Sequence, residues 1–226
     1  MIKVITIDRE YGSGGPAIAE KLAQQRGWTL WDQNLTCEIA KAAKCQVSAV
    51  EGREEKKDSL QYRLLKSYML GGFEGTLNTG KLEVLDSDTL KAFTQRVVRR
   101  VSAEGNCIVV GRGSAYFLRD MPGVYHVFLY ATKEDKIRRL HREGKSWSEA
   151  AQLVQTIDQE RAAFVKHYYG KRWPDRYLFN LMVNTTGGED AAVDIINQAV
   201  GVHEKYQLSG AILTEDAEAS LEQRPA

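Results

Sequence analysis

The sequence predicts an α/β fold of three layers: a parallel sheet of about five strands with helices on both faces, a helical insertion and a lid. Three observations predict it. Five short runs are apolar along their whole length, as strands covered on both faces must be. Amphipathic helical stretches separate those runs, which is the rhythm of crossover units. The first run also leads through a glycine-rich turn directly into a helix.

Taken in order, Ile2 to Ile7 reads as the first strand and stops at Asp8-Arg9-Glu10. Tyr11-Gly12-Ser13-Gly14-Gly15-Pro16 follows, and Ile18, Ala19, Leu22 and Ala23 then mark a helix that Pro16 can open, since its missing N–H would be unpaired there anyway. Trp28 to Trp31 is the second strand, closed by Asp32. From about 45 to 88 the pattern breaks into a charged helical stretch and a glycine-rich turn around Gly71-Gly72, an inserted helical subdomain. Leu90, Phe93, Val97 and Val101 mark the next helix, with Asp88 as its N-cap. Cys107 to Val110 is the third strand and runs into Gly111-Arg112-Gly113; Val124 to Tyr130 is the fourth. A charged helix over Lys133–Arg142 and a second through Ala150, Leu153, Val154 and Ile157 make up a lid and its following helix, about 133 to 172. Phe179 to Asn184 is the fifth strand, and Val193, Ile196, Val200 and His203 line the closing helix. One domain thus spans 1–206, and the acidic, small-residue stretch 207–226 reads as a disordered tail.

Composition narrows the function. With 226 residues, 43% of them hydrophobic, and a net charge of +1, the chain lacks the basic balance of a dedicated nucleic-acid binder. No apolar run approaches membrane-spanning length, and the first residues form a strand without a signal-peptide profile, so a cytoplasmic location is expected. Cys37, Cys45 and Cys107 lack metal-ligand spacing and read as reduced thiols, with Cys107 as core filler. The four histidines are scattered and suggest neither a metal site nor a hydrolytic triad.

The chemistry gathers at glycines and arginines. A strand, a glycine turn and a helix N-terminus form a ready phosphate site, because free N–H groups and the positive end of the helix dipole meet there. Neither G-x-x-x-x-G-K followed by Ser or Thr nor G-x-G-x-x-G is present, so a ligand-free turn is the competing reading. Arg112, between two glycines at the same sheet edge, can fork a phosphate or lie solvated. Asp32 can orient a substrate hydroxyl, hold a hydrated Mg²⁺ or cap a turn. Arg138 and Arg142 share a helix face, as a solvated surface or a cationic clamp on polyphosphate. Arg161 takes an apolar position in its helix and needs an anion, either Asp158 or Glu160 or a phosphate.

These words together resemble the cytidylate kinase-like family, relatives of bacterial cytidylate kinase among the P-loop nucleoside monophosphate kinases. They are Ile5-Thr6-Ile7-Asp8-Arg9-Glu10-Tyr11-Gly12-Ser13-Gly14-Gly15, Trp31-Asp32, Val109-Val110-Gly111-Arg112-Gly113, Asp158-Gln159-Glu160-Arg161 and Val183-Asn184-Thr185-Thr186. The resemblance spans most of residues 1–205 and implies a P-loop nucleoside kinase fold. By analogy Gly12, Ser13, Gly14 and Gly15 wrap the phosphates of ATP, and Arg112, Gly113, Lys166 and Lys171 hold the acceptor. Arg138, Arg139 and Arg142 supply lid charge, Arg161 approaches the moving phosphate, and Asp32 is the Mg²⁺ carboxylate. Relative to cytidylate kinase itself, Gly15 stands at the phosphate-loop lysine and Ala17 at the Mg²⁺-binding hydroxyl, while Gly113 replaces an aspartate; Arg9 is the candidate substitute for the missing lysine. The implied activity is ATP-dependent phosphoryl transfer to a small acceptor, first a nucleoside monophosphate such as CMP. A catalytically silent nucleotide sensor on the same fold is the alternative, and an interaction domain without nucleotide a third. Apolar residues of the insertion would pair two chains in a homodimer.

Overall fold

The computed structural model describes residues 1–42 and 87–222, so the insertion expected at about 45–88 lies almost wholly outside the described residues. Strands β1 (Val4–Arg9), β2 (Thr29–Trp31), β3 (Cys107–Val110), β4 (Val124–Tyr130) and β5 (Leu181–Asn184) form one sheet in the order β2-β3-β1-β4-β5. Every pairing is parallel, with Ile7 opposite both Val110 and Val127, so the carboxyl ends of the three central strands lie along one edge of the sheet, β1 and β4 reaching beyond β3. Helices α1 (Gly15–Arg26), α2 (Gln33–Ala42), α3 (Ser87–Ala103), α4 (Ser114–Phe117), α5 (Lys133–Arg142), α6 (Trp147–Tyr169) and α7 (Glu189–Glu222) connect and cover them.

Strand alternation divides the core into two layers. Ile5 and Ile7 pack with Ile18 and Leu22 of α1 and Val193, Ile196 and Val200 of α7. Val4 faces the other way, toward Val97, Val98 and Val101 of α3 and Phe164 and Val165 of α6. A third cluster places Tyr11 of the glycine turn among Leu140 of α5 and Ala150, Val154 and Ile157 of α6. The α5–α6 pair is therefore a hairpin seated on the turn. Its connection is short and well bonded: the Lys145 N–H donates to the Leu140 carbonyl at 3.1 Å. The Ser146 hydroxyl caps α6 by accepting from the Glu149 N–H at 3.2 Å, and His141 stacks on Trp147 with ring centroids 4.3 Å apart.

Several boundaries differ from the sequence reading: β1, β2 and β5 begin one or two residues later than expected, at Val4, Thr29 and Leu181. β1 runs on through Asp8 and Arg9, both buried, because each finds a partner inside the protein. Asp88 lies within α3 rather than capping it. The closing helix continues past 207 to Glu222, where the acidic composition predicts disorder; the stretch is rich in Ala, Leu and Glu, all good helix formers. Cys107 is buried, which raises its thiol to about 11, in keeping with a filler role.

Candidate active site

The glycine turn leaves β1 at the carboxyl edge of the sheet. Gly12 and Gly14 hold φ of +77° and +81°, a region that suits glycine, and Pro16 sits in the first turn of α1. Close packing is the second reason for glycine here. A Cβ on Gly12 would lie 3.2 Å from the Cβ and the carbonyl oxygen of Lys136, and one on Gly14 would lie 3.2 Å from the guanidinium carbon of Arg139. Helix α5 thus lies directly on the turn. The turn's carbonyls are tied down: Arg139 Nη1 donates to Gly12 O at 2.7 Å, the Thr185 hydroxyl to Ser13 O at 2.7 Å and the Ser13 hydroxyl to Glu10 O at 2.8 Å. The first N–H groups of α1 have no partner within the helix and carry the positive end of its dipole, as a bound phosphate requires.

The second turn stands beside the first, because β3 and β1 are neighbours. The Gly111 N–H donates to the Ile7 carbonyl at 2.9 Å. Gly111, Arg112 and Gly113 all have positive φ, and for Arg112, at +58°, that conformation is strained. Arg112 is buried and its Nη2 lies 3.5 Å from both Oδ1 and the carbonyl of Asp32, so the two residues expected at this edge do meet. Arg9 lies between the turns. A Cβ on Gly15 would come within 2.8 Å of its Cγ, and one on Gly111 would collide with its Nη1, so this buried side chain passes beneath Gly15 and ends at Gly111.

A charge cluster fastens the hairpin to the turn. The Lys136 ammonium lies 2.9 Å from Glu10 Oε2 and 3.1 Å from Asp158 Oδ2. Asp158 Oδ1 also accepts from the Tyr11 N–H at 2.8 Å and from Arg161 Nη1 at 3.3 Å, and Arg161 Nη1 donates to the Arg9 carbonyl at 2.9 Å. Asp158 is thus the anion that Arg161 needs. Burial raises the Asp158 carboxyl, against the pull of Arg161, the Tyr11 N–H and Lys136. Arg138, by contrast, is exposed and pairs with Asp135 at 3.0 Å, and Arg142 is exposed on the same helix. Lys166 is exposed, and Lys171 borders a cleft of about 270 Å³ that Tyr116, Tyr169 and Asp175 also line.

Sequence reasoning missed Lys136 and Asp8. Lys136 precedes Leu140 by one helical turn, so its place on the buried face of α5 could have been read from spacing. Asp8, next to last in β1, has one carboxylate oxygen accepting from the Arg9 N–H at 2.9 Å and the other accepting from Trp173 Nε1 at 3.4 Å. Burial, and then the Asp8 charge, push the phenols of Tyr116 and Tyr169 well above their ordinary range; their rings stack at 4.0 Å. No spacing signal in the chain announced that aromatic cluster.

Comparison with known proteins adds a family and a fold. The cytidylate kinase-like family matches residues 4–187. No curated protein matches the chain. A crystal structure of an uncharacterized protein from Eubacterium ventriosum is similar at a TM-score of 0.63 and 20% identity, over 89% of this chain and 99% of that one. Shikimate kinase from Acinetobacter baumannii, in complex with shikimate, is similar at a TM-score of 0.50 and 13% identity, over 90% of this chain and 95% of that one. At these identities the likeness concerns the fold: a five-strand parallel sheet with helices, as in P-loop kinases.

Proposed function

The chain belongs to the cytidylate kinase-like family, and from that premise we propose that it moves the γ-phosphoryl group of ATP to a small acceptor, with CMP the first candidate. The observation that carries the reading is the pair of glycine turns side by side on β1 and β3, with basic side chains between and above them. The Gly12–Gly15 turn and the α1 N-terminus suit the phosphates of the donor, and Arg139 on Gly12 and Gly14 adds charge over them. Arg112 and Asp32 suit the acceptor side. In the reaction an oxygen of the CMP phosphate attacks the γ-phosphorus while its bond to the β,γ-bridging oxygen breaks, giving CDP and ADP. Such chemistry asks the protein for alignment and charge neutralisation rather than for a covalent intermediate.

The residues also fit a divalent cation of the magnesium type. That ion is commonly held by one or two carboxylates together with substrate phosphates. Asp32 is the carboxylate at the edge, while Ala17 offers no hydroxyl. When bound, Mg²⁺ would neutralise charge on the transferring phosphates.

A second reading, nucleotide binding without transfer, draws support from Gly15, which brings no ammonium to the turn. Two measurements on the purified chain separate the readings. Calorimetry reads Mg·ATP binding, and chromatography follows diphosphate products after Mg·ATP is given with CMP, dCMP, UMP, AMP or GMP. Turnover on a single nucleotide names the acceptor. ATP binding without product on any of the five favours the silent reading, and absence of ATP binding overturns both.

A further inference from the structure

The chain lacks a lysine within its phosphate turn, yet a buried lysine reaches the turn from elsewhere. We propose that Lys136 is the phosphate-site cation of this protein, delivered from α5, and that Glu10 and Asp158 hold it in reserve until a triphosphate takes it over. The inference rests on the reading that the Gly12–Gly15 turn binds ATP.

Position comes first. The Lys136 Cβ lies against Gly12, and the ammonium bridges two carboxylates that flank the turn. Glu10 closes the turn through its own carbonyl, which accepts from Ser13; Asp158 accepts from the Tyr11 N–H. The lysine is thus tethered beside the glycines on a flexible four-carbon arm, a compact point charge of the kind that phosphate oxygens attract.

Charge comes second. Glu10 and Asp158 balance Lys136 and Arg161, so the cluster is neutral in the absence of ligand. A buried carboxylate stripped of its only cation is costly. Here the exchange strands none. If the ammonium swings to a phosphate, Asp158 keeps Arg161 at 3.3 Å and the Tyr11 N–H at 2.8 Å. Glu10, with 24% of its side chain exposed, turns to water. Of the basic groups nearest the turn, Arg139 donates to the Gly12 and Thr185 carbonyls, and the Arg9 side chain runs beneath Gly15 toward Gly111.

The two roles open to Lys136 differ in sign, and that makes the test. Calorimetric titration of the full chain with Mg·ATP and with inorganic tripolyphosphate is run on wild type, Lys136→Met, Lys136→Arg and Glu10→Gln, each checked by its melting curve. A reserved cation predicts that Lys136→Met weakens both ligands at least tenfold. Glu10→Gln strengthens them severalfold, since it loosens the ammonium, and Lys136→Arg retains most of the binding. A clasp that only holds the fold predicts weaker binding in both Lys136→Met and Glu10→Gln, and that result overturns the proposal. Unchanged affinity in Lys136→Met overturns it as well, while nucleotide binding by wild type keeps the parent reading. Should Lys136→Met fail to fold, the sign of the Glu10→Gln effect decides alone. A wild-type chain that binds neither ligand overturns the parent reading and this inference with it.

Discussion

Replacing Arg161 with methionine tests the buried charge network at its most enclosed point. The guanidinium donates to the Arg9 carbonyl at 2.9 Å and faces Asp158 at 3.3 Å, and it is 3% exposed. A hydrogen bond from a charged donor contributes about 1.5–3 kcal/mol. Breaking a buried pair outright costs about 3–5 kcal/mol. Asp158 keeps Lys136 at 3.1 Å and the Tyr11 N–H at 2.8 Å, and methionine refills the volume, so the expected loss is near the lower figure, about 3 kcal/mol. For a chain of this size that is roughly 6–12 °C in melting temperature. The loss also depends on pH in a fixed sense. Arg161 is the largest influence lowering the Asp158 carboxyl, which burial already raises, so its removal raises that carboxyl further. A carboxyl raised in the folded state favours the fold at low pH and loses that benefit as pH rises through its folded value. The Arg161→Met deficit should therefore be larger at pH 7.5 than at pH 5. Circular-dichroism melts of both proteins at the two pH values read it directly. A shift below about 2 °C, or an equal deficit at both pH values, would refute the reasoning.

Two further perturbations follow from the same structure. Burial lowers His126 to about 4, and its neutral ring shares a 2.7 Å hydrogen bond with the Thr6 hydroxyl. The unfolded chain takes up that proton near 6.5, so stability should fall as pH drops from 6.5 toward 4, by about 3 kcal/mol for this one group; urea titrations of wild type and His126→Gln should show that slope reduced in the variant, and equal slopes would assign it elsewhere. Gly12→Ala puts a side chain at φ +77° and 3.2 Å from the Lys136 carbonyl, whereas Gly144→Ala, at φ +95°, meets nothing within 4 Å. Both should lose about 1–2 kcal/mol to backbone strain, but only Gly12→Ala should also weaken ATP binding by lifting α5 from the turn; calorimetry that finds the two alike would discount that contact.

The sheet was legible because each strand is an apolar run bounded by turn residues, and its parallel character because the runs do not alternate. Strand order was not legible, since nothing local says that β3 and β4 flank β1. Asp8 and Arg9 looked like the end of a strand because charge ordinarily marks solvent. Their partners, Trp173 for the Asp8 carboxylate and Arg161 for the Arg9 carbonyl, lie more than a hundred residues onward. Lys136 was hidden for a related reason: within a run of charges any one side chain reads as surface, and its two carboxylates stand 126 and 22 positions away in sequence. The sheet edge put Arg112 and Asp32 on the same side of the molecule, but their meeting was not foreseen. The exposure of Arg138 and Arg142 beside the burial of Lys136 shows that a charged helix divides its work by face.

The connection between α5 and α6 has mechanical consequences. Only residues 143–146 join the helices, and cap bonds and the His141–Trp147 stack brace them. Such a joint leaves no slack for a separate flap. Tyr11 is wedged at its root, and Lys136 and Arg139 lie against Gly12 and Gly14. Hairpin and glycine turn are thereby one mechanical unit: a displacement of α5 and α6 would displace Gly12 with them.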